Sequence, residues 1–536
     1  MERITVAAVI ARACASHGVK RVFGVPGGGS SLDLIEAFAS CGVEFILCRT
    51  ETGAALMAAA DAELRNGFGV VVTTQGPGAA SAMNGVAHAS LDRAPVLFIS
   101  DGWTQSQMAF DTHQVFDQLA MSSPVVKASS RLEGDAAATE IEDIVSTMLT
   151  APWGPAHIEL TGENARRVVD AWALDKSKPA TGMPQSSSGN VGDLLRSARK
   201  PVLLVGLEAR DAGAPRAVLE MARRLQCPVL TTYKGKGIVS DESEWLVGHF
   251  TGGAAESECV AQADLIVLCG FDPVELIGRP WPYRAPVVDI GLVAHSVHYV
   301  RPAATAYGPL AANLESLLPA CNRSAWTLSG IAALRGGMAD RLAYAGHGEG
   351  LSPVAVVRRA MAIAEPRHPA FTVDAGAHMF SAMAFGRARA QGDALISNGL
   401  ATMGFALPAG IARALHAPHA PTIVFTGDGG LMMCAGELAT AAGSNANVCV
   451  IVFNDGALSL IALKQRNRGM AEAGVGWLRA DFAAVATGFG LRAFTARSLA
   501  EYETALQAAL ASGGPCLIDV HVDPSGYREQ AKALRG

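Results

Sequence analysis

Short apolar runs that end in glycine or a polar residue alternate with Ala-rich stretches of helical character, and this alternation recurs three times along the 536 residues. The pattern is typical of parallel β-sheets with helices on both faces. We therefore predict an α/β fold of three open, mostly parallel-sheet α/β domains, over residues 1–175, 190–322 and 350–536. The predicted strands are 21–25, 44–48, 70–74, 96–100, 157–160, 201–206, 228–232, 265–269, 286–290, 371–374, 422–426, 448–453 and 516–520.

Two stretches separate these domains in the sequence. A polar segment rich in Pro, Ser and Gly, at about 176–190, is typical of a linker. The stretch at about 321–352 shows no clear strand run, and we expect it to be less ordered.

Composition excludes several classes of protein. The net charge is -6, so the chain lacks the overall positive charge that would attract a polyanion, and we expect no nucleic-acid partner. Gly, Pro or a charged residue interrupts every apolar stretch before it reaches the ~20 residues that span a bilayer, so no membrane segment is predicted. The first residues lack the pattern of an export signal, and a cytoplasmic location is expected. The ten cysteines show no C-x-x-C pair and predict neither disulfides nor structural zinc.

Two turn motifs follow predicted strands in the third domain. Gly427-Asp428-Gly429-Gly430 follows one strand and Asn454-Asp455-Gly456-Ala457 the next. Glycines after a strand let backbone amides approach a phosphate, and a helix that starts there adds its positive dipole end. Asp428 and Asp455, 27 residues apart, with the Ala457 carbonyl, offer the oxygen ligands that Mg²⁺ prefers. Either motif alone is typical of a tight turn, but together they predict a diphosphate and metal site.

The G-D-G motif followed about 27 residues later by N-D resembles the cofactor signature of thiamine diphosphate-dependent enzymes. The closest resemblance within that family is to the acetolactate synthase, benzoylformate decarboxylase and pyruvate decarboxylase group, and it covers almost the whole chain. It implies thiamine diphosphate and Mg²⁺ as cofactors. It also implies that the three domains are the pyrimidine-binding, central and diphosphate-binding domains. A homodimer or homotetramer with active sites between subunits follows from the same resemblance.

The resemblance assigns roles to residues of the third domain. Asp428, Asp455 and the Ala457 carbonyl match the metal ligands, with Asp455 standing where the family usually has Asn. Met403 matches a bulky side chain that bends the cofactor, and the Ala401 carbonyl matches an acceptor for its amino group; alone, Met403 would be an ordinary core methionine. The further residues expected at the cofactor are Gly376, His378, Gly427, Gly429, Gly430, Leu460 and Ile461, although His378 alone could equally be a helix-start residue.

Glu51 directly follows the strand run that ends at Cys48. By itself such a glutamate is typically solvated or capping. The resemblance gives it a catalytic role, donation to the pyrimidine nitrogen of the cofactor. The Ala-rich residues 54–60 predict a packed helix that would partly bury this carboxyl group.

The substrate-facing positions are expected to lie mainly in the first domain. Gly28, Gly29 and Gln75 lie in glycine-containing loops that lack G-x-G-x-x-G, which argues against nicotinamide binding. His113 and Gln114 match catalytic positions of acetolactate synthases, where His113 replaces an aromatic residue; the alternative for His113 is an exposed loop residue. Lys464 replaces a substrate-sorting tryptophan, which suggests an acidic or polar 2-oxo acid, or simply a surface lysine.

These observations predict an enzyme dependent on thiamine diphosphate and Mg²⁺. It would decarboxylate a 2-oxo acid, and the enamine intermediate would then be protonated or captured by carboligation, as in acetolactate synthases. Two alternatives stay open, namely a catalytically silent, cofactor-binding regulatory protein on the same fold and an FAD-dependent or nicotinamide-dependent oxidoreductase. The turn at residues 268–273 shows no flavin site by itself, so FAD in the central domain is left open and is not expected.

Overall fold

The computed structural model describes residues 3–133, 136–170, 186–276 and 280–536. Most of the predicted linker at 176–190 lies outside these residues. Contacts divide the chain into two compact units. The first unit contains residues 1–181, 399–418 and 434–446, and the second contains residues 182–398, 419–433 and 447–536.

The N-terminal part of the chain forms a six-stranded, fully parallel sheet in the order β3-β2-β4-β5-β7-β6. The two remaining strands, β1 and β8, pair antiparallel. The elements are β1 (Arg3–Thr5), α1 (Val6–Ser16), β2 (Arg21–Val25), α2 (Ser30–Ser40), β3 (Glu44–Leu47), α3 (Glu51–Arg65), β4 (Gly69–Thr73), α4 (Pro77–Leu91), β5 (Val96–Asp101), α5 (Gln105–Met108), α6 (Gln118–Ser122), β6 (Ala128–Arg131), α7 (Ala137–Leu149), β7 (Ala156–Leu160), α8 (Gly162–Arg166) and β8 (Val168–Asp170).

The middle part forms a seven-stranded sheet in the order β12-β11-β10-β13-β14-β15-β9, in which only β9 runs antiparallel to its neighbour. Its elements are β9 (Ser186–Ser188), α9 (Val191–Ser197), β10 (Pro201–Val205), α10 (Ala214–Leu225), β11 (Val229–Thr231), β12 (Leu246–His249), α11 (Ser257–Val260), β13 (Leu265–Cys269), β14 (Val287–Gly291), β15 (Ala304–Tyr307), α12 (Leu310–Leu317) and α13 (Leu328–Leu342).

The C-terminal part forms a second six-stranded parallel sheet, in the order β17-β16-β18-β19-β21-β20. Its elements are α14 (Pro353–Ala364), β16 (Ala370–Val373), α15 (His378–Phe385), β17 (Ala394–Ile396), α16 (Ala406–His416), β18 (Thr422–Gly427), α17 (Asp428–Cys434), α18 (Glu437–Gly443), β19 (Val448–Asn454), α19 (Ser459–Asn467), α20 (Phe482–Gly488), β20 (Arg492–Ala496), α21 (Leu499–Ser512), β21 (Cys516–His521) and α22 (Tyr527–Arg535). The predicted α/β class with mostly parallel sheets is confirmed.

The strands in the middle of each sheet are buried on both faces. Every residue of β4, β5, β7, β10, β13 and β14 is buried, as expected for parallel strands covered by helices on both sides. Helix α3 is equally enclosed, since its residues from Gly53 to Glu63 are all buried. Thr50 caps this helix by accepting the Gly53 amide, and Asn66 ends it in a left-handed conformation. The packed helix predicted at residues 54–60 is therefore present.

The expectation of a less ordered stretch at about 321–352 is wrong. Helix α13 occupies 15 residues of it, capped by Thr327. Its buried residues are Ile331, Leu334, Met338 and Leu342, whose spacing of three or four residues forms one apolar stripe. The Gly336-Gly337 pair, which lies between Leu334 and Met338 of this stripe, weakens the helical signal in the sequence.

None of the described helices is both long enough and apolar enough to cross a membrane.

Gly69 lets α3 pack directly on β4, because a Cβ at this position would lie 1.9 Å from the Ala58 carbonyl oxygen. We expect Gly69→Ala to lower the melting temperature, since overpacking of this kind costs about 1–3 kcal/mol. Gly336→Ala is the matched control, because a Cβ there meets open space and alanine favours the helix by up to about 1 kcal/mol. Equal melting temperatures for the two variants would contradict this packing.

Candidate functional site

Asp428 joins the carboxyl ends of two neighbouring parallel strands in the second unit. It is the first residue of α17, directly after β18, and is only 2% exposed. Its Oδ1 accepts the Gly429 amide at 2.8 Å, and its Oδ2 accepts the Gly456 amide, beyond the end of β19, at 2.7 Å. These bonds bring the two turn motifs together.

Asp455 supplies a second carboxylate at the same edge of the sheet. Its Oδ1 accepts the Ala457 amide at 3.2 Å and its Oδ2 accepts the Ser459 hydroxyl at 2.6 Å. Burial, and next the charge of Asp455, raise the pKa of Asp428 to about 7. Burial also raises the pKa of Asp455. The buried carboxylate of Asp428 and the half-buried carboxylate of Asp455 repel each other, and a cation between them would be stabilised. This donor set fits a divalent ion such as Mg²⁺.

His378 lies beside the G-D-G turn. Its ring stacks on Phe453 with centroids 5.2 Å apart, and Cβ atoms on Gly376 and Gly427 would lie 2.8 and 3.2 Å from His378 Nδ1. Burial lowers the pKa of His378 to about 4. Its Nε2 has no hydrogen-bond partner within the described part of the chain. A buried, unpartnered imidazole nitrogen beside a glycine turn fits contact with a polar ligand group.

Asp374 is a residue of this site that the sequence analysis did not single out. It follows β16, is 1% exposed, and accepts the Thr426 hydroxyl at 2.8 Å. A Cβ on Gly430 would lie 2.1 Å from Asp374 Oδ2, so the carboxylate packs against the first turn of α17. Asp374 thus fixes the start of the helix that carries Asp428. The signal available in the sequence is an acidic residue at the carboxyl end of a predicted strand.

Helix α19 follows the second turn motif. Its buried residues are Ala462 and Leu463. Of the residues singled out here, Leu460 is half-buried, whereas Ile461 and Lys464 are exposed. The structure therefore places Lys464 on the open side of the helix.

In the first unit, Glu51 begins α3 and is half-buried. The backbone before it is held by Glu437 of α18, whose buried carboxylate accepts the Thr50 amide and hydroxyl, both at 2.9 Å, and the Arg49 amide at 3.2 Å. A Cβ on Gly78 would lie 3.4 Å from Glu51 Oε1, so the Glu51 carboxylate lies next to the first turn of α4. Glu437 is a second residue that the sequence analysis missed, because its partners lie 387 and 388 residues away.

The glycine loop before α2 packs on Asp101, the last residue of β5. Asp101 accepts the Ser30 hydroxyl at 2.6 Å and the Ser31 amide at 2.8 Å. A Cβ on Gly29 would lie 2.9 Å from Asp101 Oδ2, whereas a Cβ on Gly28 would meet open space. Gly29 is therefore required for packing, and Gly28 faces outward.

Gln75 and Gln114 lie on either side of the start of α4. The amide of Gly76, next to Gln75, donates to Gln118 Oε1 at 2.8 Å. Gln114 has a positive φ of 63° and lines a cavity of about 250 Å³ together with Gly76, Pro77, Ala80, Thr112, Val115 and Phe116. His113 is exposed and is not among the residues that line this cavity. Of the predicted catalytic pair, the structure thus brings Gln114, but not His113, to the Gly76 turn.

The loop that carries Ala401 and Met403 is held by two side chains, one within α4 and one directly after it. Asp92, which is fully buried, accepts the amides of Gly399 and Leu400, each at 3.3 Å, and Asn84 donates to the Thr402 hydroxyl at 3.0 Å. Ala401 has a φ of 53°, a conformation that non-glycine residues rarely adopt. Met403 is half-buried. A strained alanine held by its neighbours is typical of a functional backbone carbonyl.

The raised pKa of Asp428 predicts a pH dependence of stability. Because the folded pKa lies near 7, above that of an unfolded Asp, the cost of ionising Asp428 grows from about pH 4 to pH 7 and is complete above it. Relative to wild type, cofactor-free Asp428→Asn should therefore gain melting temperature between pH 5 and pH 8. The exposed Asp340→Asn variant is the control. A difference in melting temperature between Asp428→Asn and wild type that does not change with pH would contradict the expected trend.

Glu437→Gln tests the support of the Glu51 loop. The amide group of glutamine carries no charge, so the charge-assisted bonds from the Arg49 and Thr50 amides to Oε1 become ordinary, weaker hydrogen bonds, a loss of about 1–3 kcal/mol. We expect hydrogen exchange of the Arg49 and Thr50 amides to accelerate by about tenfold or more. The exposed Glu529→Gln variant should leave exchange unchanged. Unchanged protection in Glu437→Gln would show that Glu437 does not hold this loop.

Comparison with known proteins identifies related chains over nearly the whole length. The chain is 28% identical to the catabolic acetolactate synthase of Raoultella terrigena, over 96% of this chain and 94% of that protein. It is 26% identical to an acetolactate synthase of Bacillus subtilis, over 95% and 91%, and 27% identical to a probable 2-ketoarginine decarboxylase of Pseudomonas aeruginosa, over 96% and 94%.

Three family descriptions of the thiamine pyrophosphate enzymes match successive segments. The N-terminal TPP binding domain matches residues 4–121, the central domain residues 190–317, and the C-terminal TPP binding domain residues 374–520. All three parts are present in the expected order. The chain therefore belongs to the thiamine pyrophosphate enzyme family.

Proposed function

We propose that this protein decarboxylates a 2-oxo acid with thiamine diphosphate and Mg²⁺, and that the product is released after protonation or carboligated to a second carbonyl compound. The observation that carries the proposal is the pair of carboxylates, Asp428 and Asp455, at the ends of two adjacent parallel strands. Membership of the thiamine pyrophosphate enzyme family supports the choice of cofactor.

The metal and diphosphate would be held by the second unit. Asp428, Asp455 and the Ala457 carbonyl would be the Mg²⁺ ligands. Gly427, Gly429 and Gly430 would present amides at the start of α17, where the helix dipole favours an anion. Gly376 and the unpartnered Nε2 of His378 lie beside this turn and would complete the diphosphate contacts.

The remaining cofactor contacts are assigned to Ala401, Met403, Leu460 and Ile461. The positive φ of Ala401 fixes the direction of its carbonyl, which suits an acceptor for an amino group. Met403 would pack against the cofactor rings. When bound, thiamine diphosphate supplies the electron sink that decarboxylation of a 2-oxo acid requires.

Glu51 would hold a proton at the pyrimidine nitrogen of the cofactor. A half-buried carboxyl group at a fixed helix start is suited to this role, because its position does not depend on a flexible loop. Thr50 caps the helix and Glu437 fixes Thr50, so the Glu51 backbone is held by two partly buried hydrogen bonds.

The 2-oxo acid would contact Gly28, Gly29 and Gln75 near the loops of the first unit, with Gln114 and His113 acting on the reacting groups. Lys464 would select an acidic or polar side chain of the substrate from the open side of α19. The relatives include acetolactate synthases and a probable decarboxylase, so both fates of the product belong to the proposal.

We assign residues 1–175 to the pyrimidine-binding domain, 190–322 to the central domain and 350–536 to the diphosphate- and Mg²⁺-binding domain. The three matched segments support this division. A homodimer or homotetramer with shared active sites, in the cytoplasm, completes the proposal.

Calorimetric titration with thiamine diphosphate, with and without Mg²⁺, tests the cofactor site. Wild type should bind only with Mg²⁺, and Asp428→Asn should lose most of this binding because a ligand charge is removed. Glu51→Gln should still bind the cofactor, whereas CO₂ release from a panel of 2-oxo acids should fall by about 10² or more.

The exposed Glu36→Gln variant should match wild type in both measurements. Absence of Mg²⁺-dependent binding by the wild type would overturn the proposed function. A Glu51→Gln variant with full CO₂ release would remove Glu51 from the proposed mechanism.

A further inference from the structure

The middle sheet has a crevice of the kind that binds ligands in open α/β folds. From β10 the chain proceeds to β11 and β12 on one side of the sheet, and from β13 it proceeds to β14 and β15 on the other. The carboxyl ends of β10 and β13, adjacent and parallel, therefore form a topological switch point, where such sheets usually bind nucleotides. The cofactor site proposed above does not use this crevice.

The side chain of Glu275 already binds the backbone amides at this switch point. Glu275 accepts the amide of Leu207, after β10, at 2.9 Å and the amide of Asp272, after β13, at 3.3 Å. A Cβ on Gly206 would lie 2.5 Å from Glu275 Oε2, so the carboxylate fills the turn. These are the amides that would otherwise be available to a dinucleotide, and the site is therefore unsuited to an anionic ligand.

Next to Glu275, three side chains offer metal-ligand atoms in one place. Glu208, Asp272 and His295 present one ligand atom each, and these atoms lie within 4.8 Å of one another. His295 Nε2 lies 2.9 Å from Glu208 Oε1, and His295 Nδ1 lies 4.0 Å from Asp272 Oδ1. Glu208 and Asp272 are 3% and 1% exposed. One imidazole nitrogen with two carboxylates is a donor set that suits Zn²⁺ better than Mg²⁺.

A fourth side chain points independently to a ligand. Asp289 at β14 is 1% exposed, and its Oδ1 has no hydrogen-bond partner among the residues described. Its Oδ2 accepts the Tyr307 hydroxyl at 2.7 Å and lies 3.7 Å from His298 Nε2. Burial raises the pKa of Asp289, and after the Tyr307 hydrogen bond the charges of Glu208 and His295 also act on it, so this carboxylate is electrostatically coupled to the three ligand groups. A buried carboxylate oxygen without a partner is costly and calls for a cation.

A bare ion pair between Glu208 and His295 is the simpler explanation of part of this geometry. It accounts for the 2.9 Å contact but leaves Asp289 Oδ1 without a partner and three carboxylates beside two imidazoles. A divalent cation bound by Glu208, Asp272 and His295 would link the segments that follow β10, β13 and β14 and would place a positive charge near Asp289. Such a link would stabilise the middle sheet in the way that a structural metal does.

We propose that Glu208, Asp272 and His295, with Asp289 and His298 beside them, form a structural Zn²⁺-type site at the switch point of the middle sheet. This site is separate from the Asp428–Asp455 pair and does not depend on the function proposed for that pair.

The test uses the full-length protein, freed of metal by a chelator and then loaded with thiamine diphosphate and excess Mg²⁺. Calorimetric titration with Zn²⁺ should give about one ion per chain, and Co²⁺ should show the visible spectrum of a low-coordinate site with nitrogen and oxygen ligands. Zn²⁺ should also raise the melting temperature. Failure of the wild type to bind about one Zn²⁺ per chain would overturn the proposal.

Variants locate the ion. Glu208→Gln and His295→Ala should each weaken Zn²⁺ binding by about tenfold or more. His419→Ala, which removes an exposed histidine, should bind Zn²⁺ as wild type does. Asp428→Asn should likewise retain Zn²⁺, and loss of the ion in this variant would place it in the cofactor site and contradict the proposal. Zn²⁺ binding at the wild-type affinity by both Glu208→Gln and His295→Ala would also contradict the proposal. If either variant fails to fold, the wild-type stoichiometry and the Asp428→Asn result decide the question.

Discussion

The structure depends on buried carboxylates that accept backbone amides at the carboxyl ends of parallel strands. Asp428 shows the principle, since its two oxygens accept amides from the ends of β18 and β19. The amides offset part of the cost of burying the charge, and a bound cation would offset more of it. Parallel sheets make this possible because all their strands end at one edge.

Buried carboxylates that accept backbone amides recur in both units, where they hold different loops. Asp101, Glu437 and Asp92 accept amides that hold, respectively, the loops before α2, before α3 and before α16. Each of these loops carries or directly precedes a candidate functional residue, so a buried acid fixes the backbone on which that residue depends. At the middle sheet Glu275 uses the same geometry to hold together the turns after β10 and β13.

How well the fold could be predicted from sequence depended on where a strand lies in its sheet. The central strands, such as β10 and β13, are apolar throughout because both faces are covered, and the sequence identified them. The strands that it missed include β6, β12, β17 and β20, which lie at sheet edges and carry polar residues or are only a few residues long. Helix α13 was missed because Gly336 and Gly337 interrupt its helical pattern.

Local sequence by itself determined the turn motifs at Asp428 and Asp455 and the helix start at Glu51, because glycine turns and caps are recorded in the spacing of neighbouring residues. Only the tertiary structure decided that Asp374 supports α17, that Glu437 holds Thr50 from 387 residues away, and that Gln114 rather than His113 lines the cavity at Gly76. It alone also brought Glu208, Asp272 and His295 together. Such contacts follow from the order in which strands assemble into sheets, and no local pattern along the chain encodes that order.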